Sequence, residues 1–456
     1  MLNTRGLSYD KAFKQKLPHS FSSVAVQLLI YCRRGSIMHA TIAQLRPDIT
    51  TLIPKLTAIY RDLHQHPELS MQEFRTARIA AEHLEKLGYE VTEGLGITGV
   101  VGLLHNGSGP TVMLRADMDA LPMAEKTGLD YASQVVGEMP DGNKTPVSHM
   151  CGHDLHVAWL MGAAELLAAH REQWQGTLMV VFQPGEEIGK GALAMIGDMQ
   201  HFPKPDIILG QHVMVGKAGT IGYRAGAILT AGDSLHVKFH GKGAHGSMPQ
   251  NAIDPVMIAA YSAVRLQSII SRETAPLDSA VLTIGSIQAG TKENIIPDDA
   301  VLKLNMRSYK DSVRDKMISS VKRICCCESH ASGAGDPDIE FIDSYPVTEN
   351  DIAATERLSQ QFIAHFAERC FETEPATASE DFSQFGRHWQ VPYVFWFVGG
   401  TDPQVWQRAL KADSLETIPA NHSSQFTIHL DDTIQAGLEA MLVAALTWLA
   451  VDSEHL

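Results

Sequence analysis

Apolar residues recur at three- and four-residue steps across residues 41–69 (Leu45, Ile49, Leu52, Ile53, Leu56, Ile59, Tyr60, Leu63), which is the period of an amphipathic helix. Pro67 ends it, because proline disfavours the helical conformation in the residue before it. A second helical pattern covers residues 73–87 and stops at Gly88. The period then changes. Short aliphatic and β-branched runs at 100–104, 111–115, 177–182 and 206–210 read as strands, and residues 157–169 form an apolar helix between them. Near-continuous apolar strands alternating with helices predict an α/β sheet covered on both faces.

The pattern shifts near Ile228. Leu235 to His240 alternates as a half-exposed strand, followed by a helix over 255–270, strands at 280–287 and 300–306, a helix over 312–327 and a strand at 338–342. That order predicts a small ferredoxin-like α+β unit. After Pro346 the alternation of apolar strands and helices resumes, with a helix over 351–366, a strand at 394–398 and an apolar helix over 431–449. The division that follows is a catalytic domain in two parts, residues 38–226 and 346–456, split by an insertion at 227–345. A chain of 456 residues is also long for one core. Residues 1–37 read as a disordered extension, or as a start placed too far upstream. Their apolar run, 21–32, falls short of the ~18–20 residues of a membrane span, is followed by Arg33-Arg34, and has no small-residue cleavage site. The expected location is the cytoplasm, with no membrane partner.

A net charge of -15 with no basic stripe excludes a nucleic-acid binder. The 6 cysteines include no Cys-x-x-Cys pair and form no disulfide framework, and a reducing compartment fits them. Most read as buried thiols, and Cys325-Cys326-Cys327 as consecutive helix positions pointing in different directions. Cys151 is different because of its neighbours.

Ser148-His149-Met150-Cys151-Gly152-His153-Asp154-Leu155-His156 crowds imidazoles, a thiol and a carboxylate into one turn. Thiolate and neutral imidazole are ligands of transition metals. Asp117 and Asp119, Glu186 and Glu187, and His212 all fall just past the ends of apolar strands, the edge of an α/β sheet where ligands bind. Together, Cys151, His153, Glu187, His212 and His422 exceed what one catalytic zinc takes from a protein and suit two neighbouring ions. Adjacent Glu186 and Glu187 then divide into a base and a ligand. His149 and His156 read as supporting or packing groups, Asp154 as a cap of the following helix, and His64 and His66 as a helix-end polar cluster. A Cys151 nucleophile activated by His153 or His156 is the rival chemistry, but it leaves Glu186, Glu187, His212 and His422 unused. A non-catalytic metal-binding protein would be expected to lack the base, yet Glu186 is present.

Asp117-Met118-Asp119-Ala120-Leu121-Pro122, His149-Met150-Cys151-Gly152-His153-Asp154, Pro184-Gly185-Glu186-Glu187, Gly243-Ala244-His245 and Asn294-Ile295-Ile296-Pro297 occur in that order. Over residues 42–450 the chain resembles the amidohydrolase branch of the carboxypeptidase G/aminoacylase metallopeptidases, which includes hippurate, N-acyl-amino-acid and auxin-conjugate hydrolases. The resemblance implies a dinuclear-metal, aminopeptidase-like catalytic domain carrying a smaller lid and dimerisation domain. It implies metal ligands Cys151, His153, Glu187, His212 and His422, with Glu186 as base and Asp119 in support. It further implies His245 at the oxyanion, across a dimer interface, and Asn294 and Arg307 on the substrate. A guanidinium fork also suits a carboxylate on its own chemistry. Peptidase-branch relatives carry histidine where this chain has Asp117 and a bridging aspartate where it has Cys151. That difference favours the amidohydrolase branch and leaves zinc, manganese, nickel and cobalt open.

The expected activity is metal-dependent hydrolysis of an N-acyl or N-aroyl amino acid to a carboxylic acid and a free amino acid. The alternative on the same site is a dipeptidase or carboxypeptidase. The expected partners are that small substrate, two divalent ions per subunit and a second copy of the chain.

Overall fold

The computed structural model describes residues 23–451, with the backbone alone for residues 23–41. The expected extension at 1–37 thus lies mostly outside the described residues. Where it overlaps them, the first helix runs back to Ser23 rather than opening at residue 41.

The chain first forms α1 (Ser23–Gln65), α2 (Phe74–Lys86), β1 (Glu90–Leu95), β2 (Gly99–Asn106), β3 (Thr111–Asp117) and α3 (His153–Ala169). There follow β4 (Gly176–Gln183), α4 (Gly191–Asp198), β5 (Ile207–Lys217) and β6 (Ile221–Tyr223). The inserted unit holds β7 (Ala231–His240), α5 (Pro255–Ser268), β8 (Ala280–Ala289), β9 (Asp299–Ser308), α6 (Asp311–Ala331) and β10 (Asp338–Tyr345). The chain then returns through α7 (Ile352–Phe366), β11 (Cys370–Glu372), α8 (Ser383–Trp389), β12 (Tyr393–Thr401), α9 (Pro403–Lys411) and α10 (Leu430–Leu449).

Eight strands make the main sheet in the order β1-β2-β4-β3-β5-β12-β6-β11. Its centre, β4-β3-β5-β12, is parallel. As expected of such strands, both faces are covered. Leu56, Leu63, Trp159, Leu160, Phe362 and Leu442 bury one face beneath α1, α3, α7 and α10. Met179, Met195, Phe382, Phe385 and Phe395 bury the other beneath α4 and α8. The inserted unit is a separate antiparallel sheet, β8-β9-β7-β10, as the β-α-β-β-α-β order predicts. Alternation along its strands turns Leu235, Val237, Phe239, Leu302, Leu304 and Met306 toward α5 and α6. The opposite, helix-free face carries Ser234, Asn305, Arg307, Asp343 and Tyr345, which line a cavity against the main domain. In α6, Cys325 is buried, Cys326 partly covered and Cys327 exposed, as consecutive helix positions require.

Two local boundaries differ from the pattern-based reading, and both matter to the site. Strand β5 continues through His212 to Lys217 instead of ending before it. Helix α3 opens at His153, with Gly152 as its cap at φ 89°. Asp154 is therefore not the cap. It sits in the first turn, where its carboxylate accepts from the Leu155 N–H and pairs with His64. A side chain at position 152 would need the left-handed conformation and would meet Val213 at 2.4 Å, so only glycine suits this turn.

Candidate metal centre and active site

The parallel centre of the sheet brings its strand ends to one place. There β3 supplies Arg115 and Asp117 and the turn beyond it Asp119; the turn after β4 supplies Glu186 and Glu187; β5 supplies His212. Cys151, His153 and His156 come from the start of α3, and His422 from a loop held at φ 68°. That loop is tied down by the His422 N–H to the Met150 carbonyl (2.8 Å). The Asn421 amide also donates to the carbonyls of Cys151 and Val213, each at 3.0 Å.

The imidazole hydrogen bonds decide which nitrogens remain for a ligand. His153 Nδ1 donates to the Asp119 carbonyl at 2.9 Å, leaving Nε2 buried with no partner. His212 Nδ1 donates to the Val213 carbonyl at 2.7 Å, leaving Nε2 3.4 Å from Cys151 Sγ. Glu187 Oε1 is likewise buried without a partner, 3.9 Å from His153 Nε2, and Oε2 lies 3.3 Å from His422 Nε2. Ligand atoms of Cys151, His153 and Glu187 lie within 4.8 Å of one another. A second group on the same scale joins Asp117, His153, His156 and His212. Buried polar atoms are rarely left unpaired, and these orphans, an imidazole nitrogen and a carboxylate oxygen close to a thiol, are all metal-ligand donors. The two overlapping groups fit a pair of divalent ions.

His156 is not available as a ligand. Its Nε2 accepts the Val213 N–H at 3.0 Å, so Nδ1 carries the proton it gives to Asp117 Oδ1 at 2.5 Å. The further acidic trio Glu186, Glu380 and Asp381 is claimed in part by Arg115. This fully buried guanidinium binds Asp117 (2.7 Å), Glu380 (2.8 Å), Asp381 (3.1 Å) and Gln183 (2.8 Å).

Asp119 is the hub of the support. Its Oδ1 accepts the Glu186 N–H at 3.1 Å, and Oδ2 accepts the Glu187 N–H at 3.0 Å and the Ser70 hydroxyl at 2.6 Å. Behind it, buried Glu73 accepts from the Gly185 N–H (2.9 Å), the Met71 N–H (2.8 Å) and the Thr98 hydroxyl (2.5 Å). The turn that presents Glu186 and Glu187 is thus held by two carboxylates at its backbone.

Negative charge dominates the protein groups here. Burial, then Glu380, Glu187 and Asp381, push the Glu186 carboxyl well above its usual range. Burial, then Glu187, Glu186 and Asp117, push the Cys151 thiol well up. Burial opposes a charge on His153, yet Asp117, Asp119 and Glu187 raise it to about 10. In effect a proton is drawn to where a cation would sit, and a divalent cation would deprotonate the thiol.

A cavity of about 570 Å³ opens from these groups, walled by Glu186, Glu187, His212 and His422 on one side and by Arg307 and Tyr345 on the other. Arg307 Nη1 donates to Ser379 Oγ at 2.8 Å and Nε to Asn305 Oδ1 at 3.2 Å. Of the residues singled out in the sequence, Cys151, His153, Glu186, Glu187, His212, His422, Asp119 and Arg307 come together. His245 and Asn294 do not. Both are exposed, on a short ribbon pairing Ala244–His245 with Ile295–Ile296, and His245 Nδ1 is 2.7 Å from the Ser247 hydroxyl. Arg307 lies at the Ala231 end of the inserted sheet and the ribbon beyond its His240 end, on the order of 25 Å along the strands.

His66 is exposed and bonds the Asp62 carbonyl, while buried His64 bridges Asp154 (2.7 Å) and Glu125 (3.3 Å). Neither joins the groups of ligand atoms, in keeping with a helix-end cluster. His149 is buried with neither ring nitrogen paired. Sequence reasoning misses Arg115, Glu73, Glu380, Asn421 and Tyr345. An arginine closing an otherwise apolar strand is the one available signal, because so deep a cation demands acidic partners.

The profile of peptidase family M20/M25/M40 matches residues 113–420. A thermostable carboxypeptidase of Saccharolobus solfataricus is 35% identical over 413 residues, covering 89% of this chain and 98% of its own. The hippurate hydrolase of Campylobacter jejuni is 38% identical over 357 residues, covering 76% of this chain and 89% of its own. Among solved structures, a dinuclear metal-binding peptidase of the M20 family from Bacillus subtilis superposes with a TM-score of 0.67 at 27% identity, covering 87% of this chain and 98% of that one.

Proposed function

The chain belongs to peptidase family M20/M25/M40, and on that footing we propose that it hydrolyses the amide bond of N-acyl or N-aroyl amino acids with two divalent metal ions. One observation carries the reading. The unpaired Nε2 of His153 and Oε1 of Glu187 face Cys151 beside Glu186, at the mouth of a cavity whose far wall offers a guanidinium. The hippurate hydrolase and an N-acetyl-L-cysteine deacetylase of Bacillus subtilis, 36% identical over 381 residues, support this substrate class.

Cys151, His153, Glu187, His212 and His422 are the proposed ligands, with zinc, manganese, nickel or cobalt as the candidate ions. Bound there, two such ions would polarise the scissile carbonyl and acidify an attacking water. Glu186, next to the ligand Glu187, takes the proton of that water and returns it to the leaving amine. In the metal-free protein burial, then Glu380, Glu187 and Asp381, hold its carboxyl above the usual range, and bound cations would draw it back down. Asp119 fixes base and ligand together through their N–H groups. Arg307 receives the substrate carboxylate.

The inserted unit, proposed to span residues 227–345, is the lid and the dimer interface of a homodimer. Met257, Tyr261 and Val264 form an exposed apolar stripe on α5, and Val281 and Ile287 stand exposed on the edge strand β8. A second subunit docked there would bring His245 to the oxyanion and Asn294 to the substrate of its neighbour. The free thiols fit a cytoplasmic location. No helix among the described residues is long and apolar enough to cross a membrane.

A dipeptidase or carboxypeptidase reading has the carboxypeptidase relative in its favour. Hippurate and N-acetyl-methionine against Ala-Ala, assayed with enzyme reconstituted in each metal, separate the two. Glu186→Gln should retain its metal and lose about 10²–10⁴-fold in kcat. Unchanged turnover with metal in place would remove Glu186 from the reaction.

A further inference from the structure

The helix-free face of the inserted sheet meets the cavity as a small grid. Arg307 on β9, Gly232 on β7 and Tyr345 on β10 lie in one cross-strand row, and Asn305, Ser234 and Asp343 in the next. Side chains two apart on a strand share a face, so both rows address the same space. The five that carry side chains, with Gly232 between them, all line the cavity.

The grid is cross-linked. Arg307 Nε donates to Asn305 Oδ1 (3.2 Å), Asn305 Nδ2 donates to the Ser234 hydroxyl (3.2 Å), and the Ser234 N–H donates to Asp343 Oδ1 (3.0 Å). Gly232 keeps the centre of the first row open. A methyl there would meet Ser379 Oγ at 2.5 Å and Arg307 Nη1 at 3.4 Å.

The carboxylates of the cavity are otherwise accounted for. Glu187 faces His422 and the ligand cluster, Glu186 stands beside it as base, and Glu380 is bound to buried Arg115. Asp343 differs. Its Oδ2 has no hydrogen-bond or ion-pair partner among the described residues, although the group lies on a cavity wall. Arg307 and Asp343 are two strands and one two-residue step apart, roughly 12 Å between Cα atoms. Opposite charges standing off one sheet face at that spacing suit a ligand with an anionic and a cationic end.

We propose that Asp343 is a specificity-determining residue that selects N-acyl amino acids with a cationic side chain, of the lysine or arginine type. The α-carboxylate rests on Arg307, the ammonium or guanidinium on Asp343 Oδ2, and the acyl carbonyl on the metal side of the cavity. This inference rests on the amide-hydrolysis reading above and names its substrate class. Charge-assisted hydrogen bonds of this kind discriminate strongly against a neutral analogue, because the site's own carboxylate is then left unpaired.

The test is calorimetric binding to metal-loaded Glu186→Gln protein of N-acetyl-L-lysine and N-acetyl-L-norleucine, which have similar chains and differ in charge. The lysine derivative should bind about tenfold tighter or more. Adding Asp343→Asn should erase that preference while its Oδ1 still accepts the Ser234 N–H. Equal affinities with Asp343 in place, a preference that survives Asp343→Asn, or no binding of either ligand overturns the assignment. Turnover by the enzyme with Glu186 intact is read separately. If neither of these compounds nor hippurate is cleaved, the amide-hydrolysis reading fails, and the binding preference still decides the role of Asp343.

Discussion

The hydroxyl of Tyr345 donates to the main-chain oxygen of Glu186 at 3.1 Å, so the last residue of β10 touches the turn that carries the proposed base. The approach depends on Gly189, at φ 62°, where a side chain would meet the Tyr345 ring at 2.9 Å. The inserted sheet and the turn of the proposed base are therefore in direct contact. Tyr345→Phe keeps the ring and removes the donor. It should lower kcat about fivefold, the worth of one ordinary hydrogen bond, with KM and metal content nearly unchanged. Steady-state kinetics beside metal analysis checks this, and a loss of metal would show that the hydroxyl acts on folding of the site instead.

Asp119 presents both carboxylate oxygens to donors, and one side-chain change therefore reaches base and ligand together. In Asp119→Asn an amide group faces an N–H donor at one of these positions. Metal affinity should fall about 10–100-fold, as for other carboxylates that orient ligands, and kcat should fall even at saturating metal. Competition against a chelator of known affinity measures the first effect. If saturating metal restored full kcat, the hold on the Glu186 N–H would carry no weight.

The parts of this centre visible in the sequence are those where a polar residue interrupts an apolar run. Glu186, Glu187, Cys151 and His153 fall at strand or helix ends, where a charged side chain has no packing role. His212 is legible by its chemistry although its strand boundary is not, since β5 runs past it to Lys217. Arg115 shows in the sequence only as a charge closing an apolar strand, because its acidic partners Glu380 and Asp381 lie about 265 positions away. No periodicity reports such a pairing. Asp154 has the residue type of a cap, but the left-handed turn at Gly152 starts the helix two residues sooner, and its actual partner is His64.

That His64–Asp154 pair predicts a pH dependence of stability. Burial disfavours charge on His64, but its hydrogen bonds to Asp154 and Glu125 outweigh that and raise the group to about 9 from an ordinary 6.5. The folded state then binds the proton more tightly than the unfolded one. The contribution is fully present below pH 6.5 and is lost as pH rises through 9. Between those limits the stability advantage of wild type over His64→Gln should shrink by on the order of 1–3 kcal/mol. Urea denaturation of metal-free protein at about pH 6 and about pH 9.5 measures it. A constant gap would mean that folding leaves the affinity of His64 for its proton unchanged, and a gap that widened with pH would mean that His64 is neutral in the folded chain.

His245 is exposed and lines no part of the cavity formed by its own chain, so a role at the oxyanion requires a second subunit. Glu186→Gln and His245→Ala homodimers should each be nearly inactive. Refolded together, they form a mixed dimer in which one cavity has both defects and the other has Glu186 from one chain and His245 from its neighbour. Random pairing makes about half of the dimers mixed, each with one intact site of two, so activity should recover to about a quarter of wild type. A change such as Tyr261→Glu on the apolar stripe of α5 should abolish both dimer formation and this rescue. Recovery confined to the level of the parent homodimers, with mixed dimers demonstrated, would place His245 in its own subunit's reaction or outside the reaction altogether.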